Sequence, residues 1–215
     1  MKKVFIMIFI LSFVIISYSS TIHVSADTVK GGDEFYVLKN NVQVIKGTLK
    51  VLTDLATVTL VNDEWRKLAS EGGIKIKTDT MEATAVSLEY DLKKDTGLLE
   101  GNVETVIILE NNDKKIYIYC DEINFDNKNK TYSGKMNSEK ELVKIIKDDY
   151  LIFSRSFEYD ENTKILVLNN NVKITNPKKK IDMETTKATF KTDKNEISAN
   201  KVKLTLEIED KEENK

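Results

Sequence analysis

The sequence predicts an all-β fold, elongated and built from about five repeated units of two or three strands. Three observations predict it. One phrase recurs at a nearly fixed period, apolar residues alternate with a period of two between turns, and a single proline, Pro177, interrupts 215 residues.

The clearest copy of the phrase is "YDLKKDTGLLEGNV", residues 90–103. Its last words return as "KNNV" ending at Val42, "EGGI" at Ile74, "EGNV" at Val103, "SGKM" at Met136, "NNNV" at Val172 and "ANKV" at Val202, with intervals of 32, 29, 33, 36 and 30 residues. Its first words keep the same phase: Tyr90-Asp91, Phe125-Asp126 and Tyr159-Asp160 stand clearly, while "LVND" and "FKTD" are weaker versions. Polar tetrads such as "NKNK" and "ENTK" follow them, and these are turn compositions because Asn and Asp tolerate left-handed backbone and bond their own chain. Within the clearest copy, Asp95, Thr96 and Gly97 are expected to reverse the chain, so this Asp-Thr-Gly triplet is a turn and not a protease motif.

Between turns the chain reads as strand. "KVKLTLEIE" (201–209) sets Val202, Leu204, Leu206 and Ile208 on one face. "LIFSRSFEY" (151–159) sets Leu151, Phe153, Phe157 and Tyr159 on one face with Arg155 as the exception, and "IYIYCDEINF" (116–125) is apolar on both faces at first, as in a strand covered on both sides. Residues 63–73 are expected to make a short turn of helix ending at Gly72, and 136–149 mainly strand and turn. A two- or three-strand unit cannot bury its apolar face alone. Stacked units give a continuous core in a β-solenoid, a stacked jelly roll or a flattened barrel, with strand edges exposed at the ends.

The N-terminus carries Lys2 and Lys3, an apolar run to Tyr18, then Val24 and Ala26 at the minus-three and minus-one positions of a signal-peptidase site. Residues 1–26 read as a signal peptide, with a retained anchor as the alternative, since the run is shorter than the ~20 residues of a spanning helix. Residues 27–208 read as one domain and 209–215 as a charged tail. Without the leader the chain has 31 basic and 35 acidic residues, a net charge of −4, and no histidine. That balance, without a dense basic stretch, excludes a typical nucleic-acid binder. Cys120 is the only cysteine, so no intramolecular disulfide forms, and it reads as a small buried apolar group.

The succession aromatic-Asp, polar turn, short apolar stretch, Gly-Asn-Val and further strands resembles the repeat of the LptA/OstA family of lipopolysaccharide-transport proteins, most clearly over residues 83–135 and in outline over 35–208. The family's usual Ala-Asp step before the aromatic-Asp strand is reduced to Asp121 in "CDEINFD" and lost in "SRSFEYD". The resemblance implies a twisted, V-shaped β-jellyroll in the periplasm that shields acyl chains of lipopolysaccharide or lipid A on their way from the inner to the outer membrane. Each methylene exposed to water costs ~0.8 kcal/mol, so ten buried methylenes are worth on the order of 8 kcal/mol before ordering costs. Alternation offers Leu88, Tyr90, Val103, Ile107, Tyr119, Phe125, Phe153 and Phe157 as groove residues, with plain core as the competing reading of each.

The resemblance also implies partners. Other jelly-roll Lpt proteins and further copies of this chain would add head-to-tail at strand edges, here 35–45 and 201–209. The membrane-anchored, LptC-like partner of the same pathway is the nearest rival, and a structural or adhesive β-solenoid a more distant one. An enzyme is disfavoured: Asp121-Glu122 and Asp148-Asp149 are adjacent pairs whose members point to opposite strand faces, and the missing histidines remove most triads and zinc sites. No catalytic residue, metal or cofactor is expected. Lys114, Lys115 and Lys178 to Lys180 read as solvated turn charges rather than phosphate ligands.

Overall fold

The computed structural model describes residues 21–109 and 114–206, and every regular element there is a strand. Sixteen strands form one antiparallel sheet. Strands β1 (Ile22–Ser25) and β2 (Thr28–Gly31) both pair with β3 (Phe35–Lys46). Consecutive hairpins follow through β4 (Leu49–Val61), β5 (Glu64–Lys77), β6 (Met81–Asp91), β7 (Thr96–Ile108) and β8 (Lys115–Asp126). Strand β8 pairs with both β9 (Thr131–Lys135) and β10 (Val143–Lys147). Strands β11 (Tyr150–Ser154) and β12 (Ser156–Asp160) share β13 (Ile165–Asn176), and β14 (Ile181–Lys191) carries β15 (Glu196–Ala199) and β16 (Lys203–Leu206). This is the all-β jelly roll that the repeat predicts, with the apolar faces in one core.

Each long strand bends once, so the sheet folds into two walls. The first wall holds the strand parts beside the aromatic-Asp turns, and the second the parts beyond the bend. The bend is what the recurring last words of the phrase encode. Asn40 and Asn41, Gly72 and Gly73, Gly101 and Asn102, and Asn170 and Asn171 are consecutive pairs at φ between +48° and +96°, and the ladder breaks at each of them. Only Gly and Asn adopt that conformation readily, because other side chains clash with the following carbonyl. At Gly101 the space is closed as well: a Cβ there would lie 2.8 Å from Val86 Cβ.

The inward positions step by four across these outgoing corners, from Leu38 to Val42, Ser70 to Ile74, Leu99 to Val103 and Leu168 to Val172. Strands returning to the first wall turn differently. They step by three, from Thr53 to Ala56, Ala85 to Leu88, Cys120 to Ile123, Ser154 to Phe157 and Thr185 to Ala188, which reverses the alternation. At four of these corners the side chain donates to the carbonyl two residues on: Thr53 to Leu55 (3.4 Å), Cys120 to Glu122 (3.4 Å), Ser154 to Ser156 (3.0 Å) and Thr185 to Lys187 (3.3 Å). Cys120 thus takes the place of a corner hydroxyl, and burial pushes its thiol up to about 12 despite that bond. Cys120→Ser is accordingly expected to keep the fold, moving the thermal unfolding midpoint by no more than about 4 °C; a collapse on substitution would separate Cys120 from the Ser154 and Thr53 set.

The aromatic-Asp pair is equally local. The ring points into the core while the next residue caps the turn: Asp91 accepts the N–H groups of Lys93 (3.0 Å) and Lys94 (2.9 Å), Asp126 that of Asn129 (2.8 Å) and Asp160 that of Asn162 (2.8 Å). Two expectations are corrected. The turn occupies 92–95 and closes on Asp95 at φ 61°, while Thr96 and Gly97 already belong to β7. Residues 64–77 are strand β5 and not helix, because Gly72 and Gly73 form a corner and Leu68, Ser70, Ile74 and Ile76 alternate into the core. Residues 136–149 are strand and turn as expected, with β10 preceding a turn at 148–149.

Of the leader read from the sequence, residues 1–20 lie outside the described residues, as does the charged tail. Its end does not: β1 pairs Ile22–Ser25 with 43–46 of β3, and Ile22 and Ala26 pack on the core. Processing after Ala26 would remove β1 and bare that edge of β3.

Candidate functional site

The candidate site is the space between the walls. In the first wall a cross-strand row runs Leu68, Tyr90, Gly97, Phe125, Tyr132, Tyr159, Leu166, Phe190, all but Gly97 buried. Tyr90 and Phe125 stack at 5.8 Å, and Tyr132 and Tyr159 at 6.2 Å. Gly97 makes the first stack possible, since a Cβ there would lie 2.3 Å from the Phe125 ring. The second wall answers with smaller branched side chains: Val44, Val51, Ile76, Ile118, Ile145, Ile152 and Ile174, every one of them buried. Aromatic rings facing β-branched side chains fill the space between the sheets. Between its ends the interior is therefore occupied by the protein's own side chains.

Polar groups line the seam where the wall edges meet. Lys46, at the end of β3, donates to Asp95 in the turn before β7, and Asp95 also accepts from Tyr90 OH (3.0 Å). Thr80 Oγ1 and Tyr132 OH are 2.9 Å apart, and Asn195 donates to Asp148 (3.0 Å), which also takes the ammonium of the fully buried Lys147. Burial raises the Asp148 pKa, but the bonds from Lys147 and Asn195 outweigh it and hold the carboxyl below the usual range. Burial pushes the phenol of Tyr159 up to about 12, and burial with the Asp95 charge raises Tyr90 further. These phenols stay neutral donors.

Glu161 is the seam's unbalanced member. Its side chain is almost wholly buried, Lys130 Nζ stands 3.9 Å from Oε1, and Oε2 has no hydrogen-bond partner. Burial raises its pKa above 4.5 against the attraction of Lys130 and Lys164, with Asp79 adding repulsion. A carboxyl whose folded pKa exceeds its unfolded one stabilises fully only below the unfolded value, and that stabilisation is lost as pH rises through the folded one. Glu161→Gln is therefore expected to raise the melting temperature at pH 7, with the gain disappearing below about pH 4.5; equal gains at both pH values would refute the assignment.

Six of the eight residues proposed from alternation point inward and are buried: Leu88, Tyr90, Val103, Ile107, Phe125 and Phe157. Two do not. Phe153 faces outward because the corner at Arg155 reverses the alternation, so Leu151 and Phe153 lie opposite in phase to Phe157 and Tyr159. Tyr119 is 37% exposed, on the outer face of β8, where apolar residues on both sides hide the phase. The seam groups were missed, although the sequence carries a signal for two of them: Lys46 follows Val42 and Val44 in phase, and Lys147 follows Val143 and Ile145.

At its ends the interior is open. Tyr36 and Trp65, with ring centroids 5.0 Å apart, stand exposed at the first mouth, while Leu204 and Leu206, 52% and 58% exposed, face the last inward row at the other. A concavity of about 970 Å³ is a trough on the outer face of the first wall beside Leu98, Ser133 and Val167, and no second-wall residue borders it. Among the described residues no group of three His, Cys, Asp or Glu could hold a metal ion.

A family model described as LptA/(LptD N-terminal domain) LPS transport protein matches residues 23–131, more than half of the chain, from β1 to the start of β9. Among solved structures, LptH from Pseudomonas aeruginosa, described as the LptA homologous periplasmic component of the conserved lipopolysaccharide transport device, is similar at 12% identity. That match covers 87% of this chain and 96% of the other, with a TM-score of 0.26. No curated protein matches the chain.

Proposed function

We propose, from the premise that this chain belongs to the LptA/LptD N-terminal domain family of LPS transport proteins, that it is an exported, periplasmic carrier whose two walls part to shield lipopolysaccharide acyl chains between them. One observation carries the reading: a single apolar interior runs the length of the roll, from the Tyr36–Trp65 mouth to the Leu204–Leu206 mouth. Because that interior is filled, a lipid cannot simply slot in. It must displace wall from wall, and the polar seam is where they separate. Each seam hydrogen bond contributes roughly 0.5–1.5 kcal/mol net, whereas ten sheltered methylenes are worth about 8 kcal/mol. The acyl chains thus supply enough free energy to open the seam, provided that wall side chains exchange contacts with each other for contacts with lipid.

Placement of the lipid is testable directly. A photoreactive residue at Phe157, inward on β12, is expected to form an adduct with lipopolysaccharide on irradiation in cells, while one at Val167, beside it on the outer face of β13, is not. Equal labelling at both sites, or labelling at Val167 alone, would overturn the interior reading.

The same reading makes the protein one link in a bridge between the two membranes. Among the described residues its mouths end in β1 and β2, which pair with β3 alone, and in β16, each with one free edge suited to pairing with the jelly rolls of other transport proteins or with another copy. No bond-making step is assigned to any residue.

A further inference from the structure

Outside the interior, the two walls present unlike faces to water. On the second wall Val106, Tyr117, Ile146 and Leu151 lie in one cross-strand row, and Tyr119 and Phe153 flank Lys144 in the next. Tyr117 is 38% exposed, and Ile146, Leu151 and Phe153 are half-buried, with no element laid over them among the described residues. A contiguous aromatic and aliphatic patch of this size on a water-facing sheet marks an interaction surface.

Its charge identifies the occupant. Lys144 Nζ sits 5.5 Å from the Tyr119 ring centroid. Lys50, Lys75 and Lys77 border a shallow concavity of about 450 Å³ whose rim includes Tyr117 and Tyr119. Acids are present but engaged or few: Glu82 is held by Lys77 at 2.5 Å, Asp182 and Glu184 by Lys173 at 3.5 and 3.8 Å, and Glu104 stands beside Tyr119 in register. The outer face of the first wall carries Glu89, Glu158 and the turn-capping Asp91, Asp126 and Asp160, with Lys67 and Lys191 among them. Those three aspartates are committed to their own turns and the lysines beside them repel those of the patch, so that face of a second copy is a poor match for it. Tyrosines with a polar tip and lysines with long apolar stems are the side chains that settle at a lipid–water boundary.

We propose that the outer face of the second wall is a membrane-contact surface. It rests Tyr117, Tyr119, Leu151 and Phe153 among the headgroups of an anionic leaflet and sets Lys75 and Lys144 against lipid phosphates. This surface is separate from the interior and does not depend on what the interior carries.

The test is cosedimentation of the protein, purified from the cell envelope, with vesicles of phosphatidylcholine alone and of phosphatidylcholine mixed with phosphatidylglycerol. Binding to the mixed vesicles is expected to be at least about tenfold tighter. Tyr119→Ser/Phe153→Ser should lower that binding about tenfold, and Lys75→Glu/Lys144→Glu should abolish the preference for anionic vesicles. Leu98→Ser, on the outer face of the first wall, should change neither. Unchanged thermal midpoints certify the folds. Equal binding to both vesicle types, no binding, or binding indifferent to the Tyr119/Phe153 pair overturns the proposal. Self-association abolished by that pair without vesicle binding also overturns it, and makes the face an interface between copies.

Discussion

Phe157→Asp is expected to leave no folded protein, with the far-ultraviolet β signal lost and the chain digested by trace protease. Phe157 is 1% exposed, its ring lies so close over Gly134 that a Cβ there would be 2.6 Å away, and Leu168 stands opposite it in the ladder. Truncating such a ring costs roughly 3–5 kcal/mol, and burying a carboxylate in its place adds several more. The whole stability of a domain is about 5–15 kcal/mol. Four residues earlier the same substitution meets a different fate: Phe153→Asp places its charge on the outer face and is expected to fold. A folded Phe157→Asp chain that had lost only its lipid would show an interior looser than the one described, and an unfolded Phe153→Asp chain would show the corner at Arg155 to be misplaced.

If the chain assembles head-to-tail as proposed, Leu204→Arg together with Leu206→Arg is expected to reduce the assemblies to monomers at every concentration in sedimentation, without altering the β signal. Both leucines continue the inward phase of Met183 and Ile181, yet no further layer covers them among the described residues. Among the described residues strand β16 pairs with β14 alone, so in the proposed bridge its outer edge and apolar side together would form a docking layer for a like strand. Heterologous pairing of this kind builds open chains, and two arginines on the buried side of such a joint deny it. Assemblies that persist in the double variant would move the joint elsewhere.

How far the fold can be read from sequence follows from the range of each determinant. The turns and outgoing corners are legible because their causes are local: Asp91 caps two amides within three residues, and Asn170-Asn171 or Gly72-Gly73 carry their backbone preference within themselves. The family's Ala-Asp step before the aromatic strand falls at a return corner, where this chain has Cys120-Asp121 in one unit and Ser154-Arg155 in the next. Phase across those corners was not legible, since a three-residue step leaves no mark in composition, and Phe153 was misassigned for that reason. The partners across the seam are beyond the reach of sequence, although the phase of Lys46 and Lys147 marks those two as inward. Lys46 and Asp95 are 49 residues apart, and Thr80 and Tyr132 52 apart, so their meeting depends on how two walls close and on nothing local. The glycine pair at 72–73 is a local corner signal that outweighs the helix-like composition around it.

The filled interior has a consequence for turnover. Were the space between the walls a permanent cavity, cargo leaving it would expose both itself and the lining to water, and the carrier would hold what it should deliver. A roll that collapses onto its own rings regains on closing the contacts that the departing acyl chains give up, much as a wet fold of cloth clings shut behind an object drawn out of it. Only the cargo's own exposure then opposes release, and a neighbouring apolar compartment removes that. In the proposed carrier, self-closure would make an empty link inert toward stray hydrophobes and a loaded link ready to hand on.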